Sequence, residues 1–489
     1  MSVDAPLPFW EKPGSFAQDA HRLLVISYHF PPDTTIGARR WEKLADAVTH
    51  RGWGLDVITR SPTAALGDAL DTLPAGTRVF GVPDPPLSAE RLEHLLWRGY
   101  RKVWPNRLLD ENTPRTSTPG SLRVPQPRTE SMDRSEIPRL IRSPRDVLRT
   151  YWAWVDYAHG MRWARHAARL ALRIVRPGAH EVVITSAPPH MTHESGRLVS
   201  VATGLPYVMD MRDPWSTQPW LPESVASAHW YRRAERHERA CVAQAALVVA
   251  NTEPARATLA RAHADASDRI ITVMNGSDSD PLPPHRDAGQ FSIRYAGTIY
   301  LHRDPQLLFR AAAHVIAAEK LTPAQFGIGI LGKFAAEDRL SMFGMAVEEG
   351  IGDFVTVDPP RPHRAALEFL SAATMLVVFP GNNLLAIPAK VFEYVRFDSW
   401  LLAIAEPESG IAQLLRGTSA DVVVPQVDVV AAAIAARYRQ YARGQQPQRV
   451  GSDDRFSRTT QARLLLDAIE RIVAARGARA AMKVPLVER

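Results

Sequence analysis

Short, continuous apolar runs recur along this 489-residue chain, each followed by a loop and a helical pattern. Leu23-Leu24-Val25-Ile26-Ser27, Glu181-Val182-Val183-Ile184-Thr185 and Met375-Leu376-Val377-Val378-Phe379 are three of them. A strand with water on one face alternates apolar and polar residues. A strand apolar throughout is buried on both faces, as in parallel sheets covered by helices. The pattern restricts the chain to an α/β architecture built from strand–helix–strand units. In such sheets ligands bind beyond the carboxyl ends of the strands, so the loops after the apolar runs are where function is sought.

A chain of 489 residues exceeds what one hydrophobic core organises, so two domains are expected. The first series of strand signals lies at 23–27, 55–59, 78–82, 181–185, 206–210, 246–250 and 270–274. Trp41, Leu44, Ala45 and Val48 form a one-faced stripe between the first two. The second series lies at 291–295, 326–331, 354–357, 375–379, 400–404 and 421–424, and Pro281-Leu282-Pro283-Pro284 between the series reads as a linker. The expected division is 1–284, 285–455 and a terminal amphipathic stretch, 456–489. Residues 91–150 interrupt the first series with a basic, Pro-rich insertion of 13 Lys/Arg against 7 Asp/Glu. Within it, Glu90–Trp104 is a predicted helix carrying Trp97, Tyr100 and Trp104.

The lone cysteine, Cys241, sits in an apolar helical context and fits a reducing compartment. Neither a secretory signal nor an apolar run of about 18–20 residues is present. The expectation is a cytoplasmic protein. The net charge of +7 permits anionic partners, but no nucleic-acid recognition pattern accompanies it, and no nucleic-acid partner is expected.

After the run at 375–379, the loop Pro380-Gly381-Asn382-Asn383 leads to Ile387-Pro388-Ala389-Lys390-Val391-Phe392-Glu393-Tyr394. Proline suits a helix start, where free N–H groups favour a phosphate. Lys390 adds a full charge, and Glu393 could accept hydrogen bonds from sugar hydroxyls. This stretch resembles the donor-binding segment of GT-B glycosyltransferases of family 4. Three further segments resemble the family in the same order: Tyr28-His29-Phe30-Pro31-Pro32 with Gly37, Arg39 and Arg40; Ser186–His193 with Asp210–Trp215; and Ala296–Pro305. The similarity covers roughly residues 22–425, weakest over 60–150.

The resemblance implies two Rossmann-like domains whose parallel sheets face a central cleft, with the acceptor on the first and a nucleotide-diphosphate sugar on the second. It assigns Gly297, Arg303, Lys390 and Glu393 to the donor. Gly37 and Arg39 belong to the cleft-facing loop, where Arg39 or Arg40 meets phosphate or is merely solvated. His193 meets the transferred sugar. Family members often carry two glutamates eight positions apart; Glu393 matches the second, but the first position is Leu385. Sugar contacts then fall to Asn382 and Asn383. His190 and His193 make no convincing metal site, and no metal or other cofactor is expected.

The implied activity is glycosyl transfer, most often with retention, to a saccharide or lipid-linked acceptor in polysaccharide or glycolipid assembly. A transfer-inactive binding or assembly protein, or a sugar-nucleotide epimerase of the same fold, are the alternatives. The charge and aromatic residues of 91–150 suggest peripheral contact with an anionic inner-membrane face.

Overall fold

The computed structural model describes residues 7–14, 21–33, 38–62, 70–84, 131–138, 140–297, 305–332, 336–379, 384–451 and 454–482. The helix expected at 90–104 lies outside these residues, as do Trp97, Tyr100, Trp104, Gly37, Arg303, Asn382 and Asn383. The chain forms two compact units: Met1–Ala250 with Thr258–Ile271 and Leu465–Arg489, and Asn251–Ala257 with Thr272–Leu464. No described helix is long and apolar enough to cross a membrane.

The chain begins with β1 (Trp10–Lys12), β2 (Arg22–Ser27), α1 (Arg39–His50), β3 (Gly54–Arg60), β4 (Thr77–Val82) and β5 (Ser131–Asp133). It continues through α2 (Pro144–Ile174), β6 (His180–Ala187), α3 (His193–Thr203), β7 (Tyr207–Met211) and β8 (Trp220–Pro222). Then come α4 (Ala228–Gln244), β9 (Leu247–Ala250), α5 (Glu253–Ala262) and β10 (Ile270–Thr272). One eight-stranded sheet has the order β1-β4-β3-β2-β6-β7-β9-β10. Its central strands β4, β3, β2, β6, β7 and β9 are all parallel. In chain order these six read 3-2-1-4-5-6, the doubly wound order, whose switch point lies between β2 and β6.

Leu23, Leu24, Val25 and Ile26 are fully buried, as a strand covered on both faces requires. The α1 stripe is buried too. Helix α2 starts at Pro144, inside the stretch read from the sequence as a basic, Pro-rich insertion. The reason is a capping box: Ser143 Oγ accepts from the Asp146 N–H at 3.2 Å, while Asp146 Oδ2 accepts from the Ser143 N–H at 3.0 Å, with Pro144 between them.

Near the amino ends of these strands lies a buried charge cluster. Asp56 on β3 has no exposure; it accepts from Arg22 Nε at 3.0 Å, Arg78 Nε at 2.8 Å and His180 Nε2 at 3.0 Å. Arg22, Arg78 and His180 come from the three strands β2, β4 and β6, so one carboxylate fastens four strands.

The second series is β11 (Phe291–Ala296), α6 (Gln306–Glu319), β12 (Phe326–Leu331), α7 (Ala336–Glu348), β13 (Val355–Asp358) and α8 (His363–Ser371). It goes on with β14 (Met375–Val378), α9 (Ala389–Tyr394), β15 (Trp400–Ile404), α10 (Gly410–Leu415), β16 (Asp421–Val423) and α11 (Val427–Ala442). The final helix is α12 (Arg458–Met482). The six-stranded sheet, β13-β12-β11-β14-β15-β16, is parallel throughout and again reads 3-2-1-4-5-6. Its switch point lies between β11 and β14. The stretch Pro281–Pro284 belongs to this unit, since Arg396 donates to the Asp280 carbonyl before it and the Arg286 N–H bonds to the Ser371 carbonyl after it. From Leu465 onward α12 belongs to the first unit, where Asp467 and Glu470 pair with Arg51 at 2.6 and 2.8 Å.

Candidate active site

At the switch point of the second sheet, β11 ends at Ala296 and Gly297 follows with φ +133°, a conformation that side chains rarely adopt. Across from it, Lys390 stands in the first turn of α9 and reaches back to the same strand end. Its ammonium donates to Tyr295 Oη at 2.5 Å and Ala296 O at 3.2 Å, and lies 3.8 Å from the Tyr295 ring centre. One turn on, Tyr394 Oη accepts the Ala296 N–H at 2.8 Å, so α9 is pinned to β11 at two levels. The helix buries Val391, Phe392 and Tyr394, which leaves Lys390 and Glu393 on its other face. A six-residue helix has a small dipole, so the ammonium supplies most of the positive charge.

A Cβ built on Gly297 would lie 2.5 Å from Lys390 Nζ. Gly297→Ala is therefore expected to push the ammonium aside and strain the turn, weakening nucleoside-diphosphate binding about five- to thirtyfold. Isothermal titration with UDP and GDP checks this. An affinity equal to wild type for whichever nucleotide binds would remove Gly297 from the site.

Glu393 approaches His363 Nε2 at 3.5 Å, where α8 begins after β13. Tyr295 carries no sequence signal that singles it out, because it gains its place only through contact with another element. At Leu385 no carboxylate is present; its backbone carbonyl accepts from Thr252 Oγ1 at 2.5 Å. A cavity of about 280 Å³ lined by His285, Arg396, Asp398 and Arg449 opens at the amino ends of β14 and β15. Ligands of such sheets bind at the carboxyl ends, so it is not the donor site.

In the first unit, the carboxyl ends of β6 and β7 carry the other polar groups. Asp210 accepts from Arg40 Nε, Arg40 Nη2, Trp41 Nε1 and Ser186 Oγ, each at 3.0 Å. Arg40 is thus buried and committed to Asp210, whereas Arg39 is exposed. Arg212 donates to the Ala187 and Pro188 carbonyls and so fixes the turn before His190.

His193 opens α3 and is fully buried. Its Nδ1 shares a hydrogen bond with Thr185 Oγ1 at 2.8 Å, while Nε2 has no hydrogen-bond partner among the described residues. His190 stacks on Trp215 with ring centres 5.6 Å apart. Burial pushes His190 down to about 4 and His193 well below its ordinary value, with the neighbouring His190 and Arg212 adding to the effect on His193. Both rings are neutral at pH 7, so His193 can hydrogen-bond but cannot act as a cation.

The ends of β2, β3 and β4 gather Tyr28, Arg60 and Asp84. Tyr28 Oη donates to Asp84 at 2.5 Å, His159 Nε2 pairs with Asp84 at 2.8 Å, and His29 Nδ1 pairs with Asp33 at 2.6 Å. Arg60 lies over the Tyr28 ring. This wall offers donors and acceptors side by side, as hydroxyl-rich ligands need.

Two units, each built on a doubly wound sheet whose central strands are parallel, are the GT-B fold. Solved structures of that fold align over nearly the whole chain. Anabaena HepE in complex with UDP has a TM-score of 0.56 at 12% identity, covering 92% of this chain and 100% of that one. Sucrose-phosphate synthase from Thermosynechococcus elongatus has a TM-score of 0.57 at 14% identity, covering 93% and 100%. No protein-family model matches the chain. In sequence, it is 29% identical over 216 residues to D-inositol 3-phosphate glycosyltransferase 1 of Catenulispora acidiphila, covering 41% of this chain and 51% of that protein. The match thus spans about half the length of that relative. The chain is a GT-B protein similar to glycosyltransferases, and the resemblance drawn from its motifs agrees with both comparisons.

Proposed function

We propose that the chain transfers a sugar from a nucleoside-diphosphate sugar to a saccharide or lipid-linked acceptor, with retention, in polysaccharide or glycolipid assembly. The observation that carries this reading is the Lys390 ammonium held against Gly297 at the switch point of the second sheet. In this reading the diphosphate lies over Gly297. Lys390 and Arg303 neutralise the charge that builds on the leaving group, the kind of electrostatic effect that usually dominates such catalysis. Glu393 accepts hydrogen bonds from the ribose, and Asn382 and Asn383 meet the transferred sugar in place of the acid absent at Leu385. Neutral His193 offers its unpartnered Nε2 to a sugar hydroxyl. Gly37 and Arg39 belong to the loop that approaches the substrates.

Leu385 favours a second reading, a binding protein that keeps the donor site without transfer. Release of nucleoside diphosphate from UDP-, GDP-, ADP- and TDP-sugars separates the readings. The acceptors to be compared are simple saccharides, D-inositol 3-phosphate and a lipid extract; the inositol phosphate is chosen because it appears in the relative's name. Release that requires an acceptor is the expected result. Donor binding without release would establish the transfer-inactive protein, and release without acceptor would point to an epimerase or hydrolase.

A further inference from the structure

The cavity of about 280 Å³ at the amino ends of β14 and β15 lies at the opposite end of the sheet from Gly297 and Lys390. One wall is the stretch Pro281-Leu282-Pro283-Pro284, whose three prolines have fixed φ. Both ends of that stretch are tied down. Arg396 donates to the Asp280 carbonyl before it, and the Arg286 N–H donates to the Ser371 carbonyl at 3.0 Å after it. Buried Ser371 and Phe397 complete the lining. The cavity is therefore part of the folded frame rather than a gap between loose loops.

Its charges are unevenly matched. Arg449 faces Asp398 through Nε–Oδ1 and Nη2–Oδ2 contacts of 3.2 and 3.4 Å, which leaves its Nη1 for another acceptor. The Asp280 carbonyl takes only Nη2 of Arg396, and no carboxylate among the described residues pairs with that guanidinium. Two guanidinium groups thus share one carboxylate, with His285 beside them. Such a surplus suits a phosphate, whose oxygens accept N–H bonds from a planar guanidinium. The volume exceeds what a single small ion fills and approaches the roughly 300 Å³ at which small-molecule pockets begin. Asp398 repels a bare phosphate but accepts hydrogen bonds from hydroxyls. The prolines offer an apolar surface to the C–H groups of a ring.

We infer that this cavity is a second small-molecule site, taking a sugar or polyol monophosphate. The phosphate lies between Arg396 and Nη1 of Arg449, the hydroxyls meet Asp398 and His285, and the carbon skeleton rests on the prolines. The inference does not depend on glycosyl transfer.

Titration calorimetry of the full chain with glucose 6-phosphate, inorganic phosphate and glucose tests it. Glucose 6-phosphate is expected to bind roughly tenfold more tightly than inorganic phosphate, and glucose not at all, with affinity falling as salt is raised. Arg396→Gln/Arg449→Gln should weaken glucose 6-phosphate binding about ten- to a hundredfold and leave UDP and GDP binding unchanged. Asp398→Asn should strengthen the binding of inorganic phosphate and narrow the preference for the sugar phosphate, which a merely structural aspartate would not do. Lys390→Ala should leave glucose 6-phosphate binding intact, so this site and the donor site succeed or fail separately. Circular dichroism and melting equal to wild type show that the variants fold. No binding of either phosphate at millimolar concentration, equal binding of glucose, or undiminished binding by the double arginine variant would overturn the inference. Loss of glucose 6-phosphate binding in Lys390→Ala would also overturn it, by placing the ligand in the donor site.

Discussion

Lys390→Ala is expected to weaken nucleoside-diphosphate binding ten- to a hundredfold, the worth of one charge-assisted phosphate contact at about 1.5–3 kcal/mol. The ammonium sits on Tyr295 and the Ala296 carbonyl, both at the end of the strand that leads into Gly297. A phosphate reaching this turn exchanges a neutral hydroxyl for an anion, so the gain comes from charge. Charge on the diphosphate grows as the glycosidic bond breaks, so kcat should fall as well as affinity. Titration calorimetry and initial rates at saturating donor measure the two effects separately. Tyr295→Phe, which keeps the ring beneath the ammonium and removes the hydroxyl, should change affinity much less. Unchanged affinity in a well-folded Lys390→Ala protein would refute the donor assignment.

Asp56→Asn should destabilise the first unit by about 3–5 kcal/mol, because it leaves the partly buried guanidinium groups of Arg22 and Arg78 without their fully buried anion. Burial of Asp56 opposes its ionisation, yet hydrogen bonds from His180, Arg78 and Arg22 outweigh that and hold the carboxyl well below the usual range. A depressed folded-state pKa means that the unfolded chain binds the proton more readily. The stabilisation is therefore fully present above the ordinary aspartate value of 3.8 and is lost as the pH falls below it. Urea unfolding at pH 7 should separate wild type from the variant, and the gap should narrow in acid. A constant gap between pH 7 and pH 3 would show that Asp56 acts through packing rather than charge.

Much of the site was legible because glycosyltransferase-like loops follow strands whose apolar runs are hard to mistake. Gly297 follows β11, and Lys390 and Glu393 stand on the helix after β14, which is the strand–loop–helix placement read from the sequence. His193 was legible as a strand-end residue, but not its burial, which arises from Tyr207 and Trp215 on other elements. Arg40 reads as a cleft arginine until β7 places Asp210 against it, 170 residues away in sequence. Tyr295 looks like an ordinary strand residue, and only the approach of α9 gives its hydroxyl a cation.

The sequence alone determined what depends on neighbours along the chain. Buried strands are readable as unbroken apolar runs, and helix starts as capping residues and prolines, because those forces act over a few residues. The tertiary structure decided the strand order 3-2-1-4-5-6 in both sheets, and with it the switch points where ligands bind. It also decided which charges are consumed in ion pairs with buried carboxylates, as those of Arg22, Arg40 and Arg78 are, and which remain at the surface, as that of Arg39 does. Pairing strands and burying ions depend on contacts between distant segments, whose free energy is set by burial and geometry in three dimensions and leaves no periodicity in the sequence.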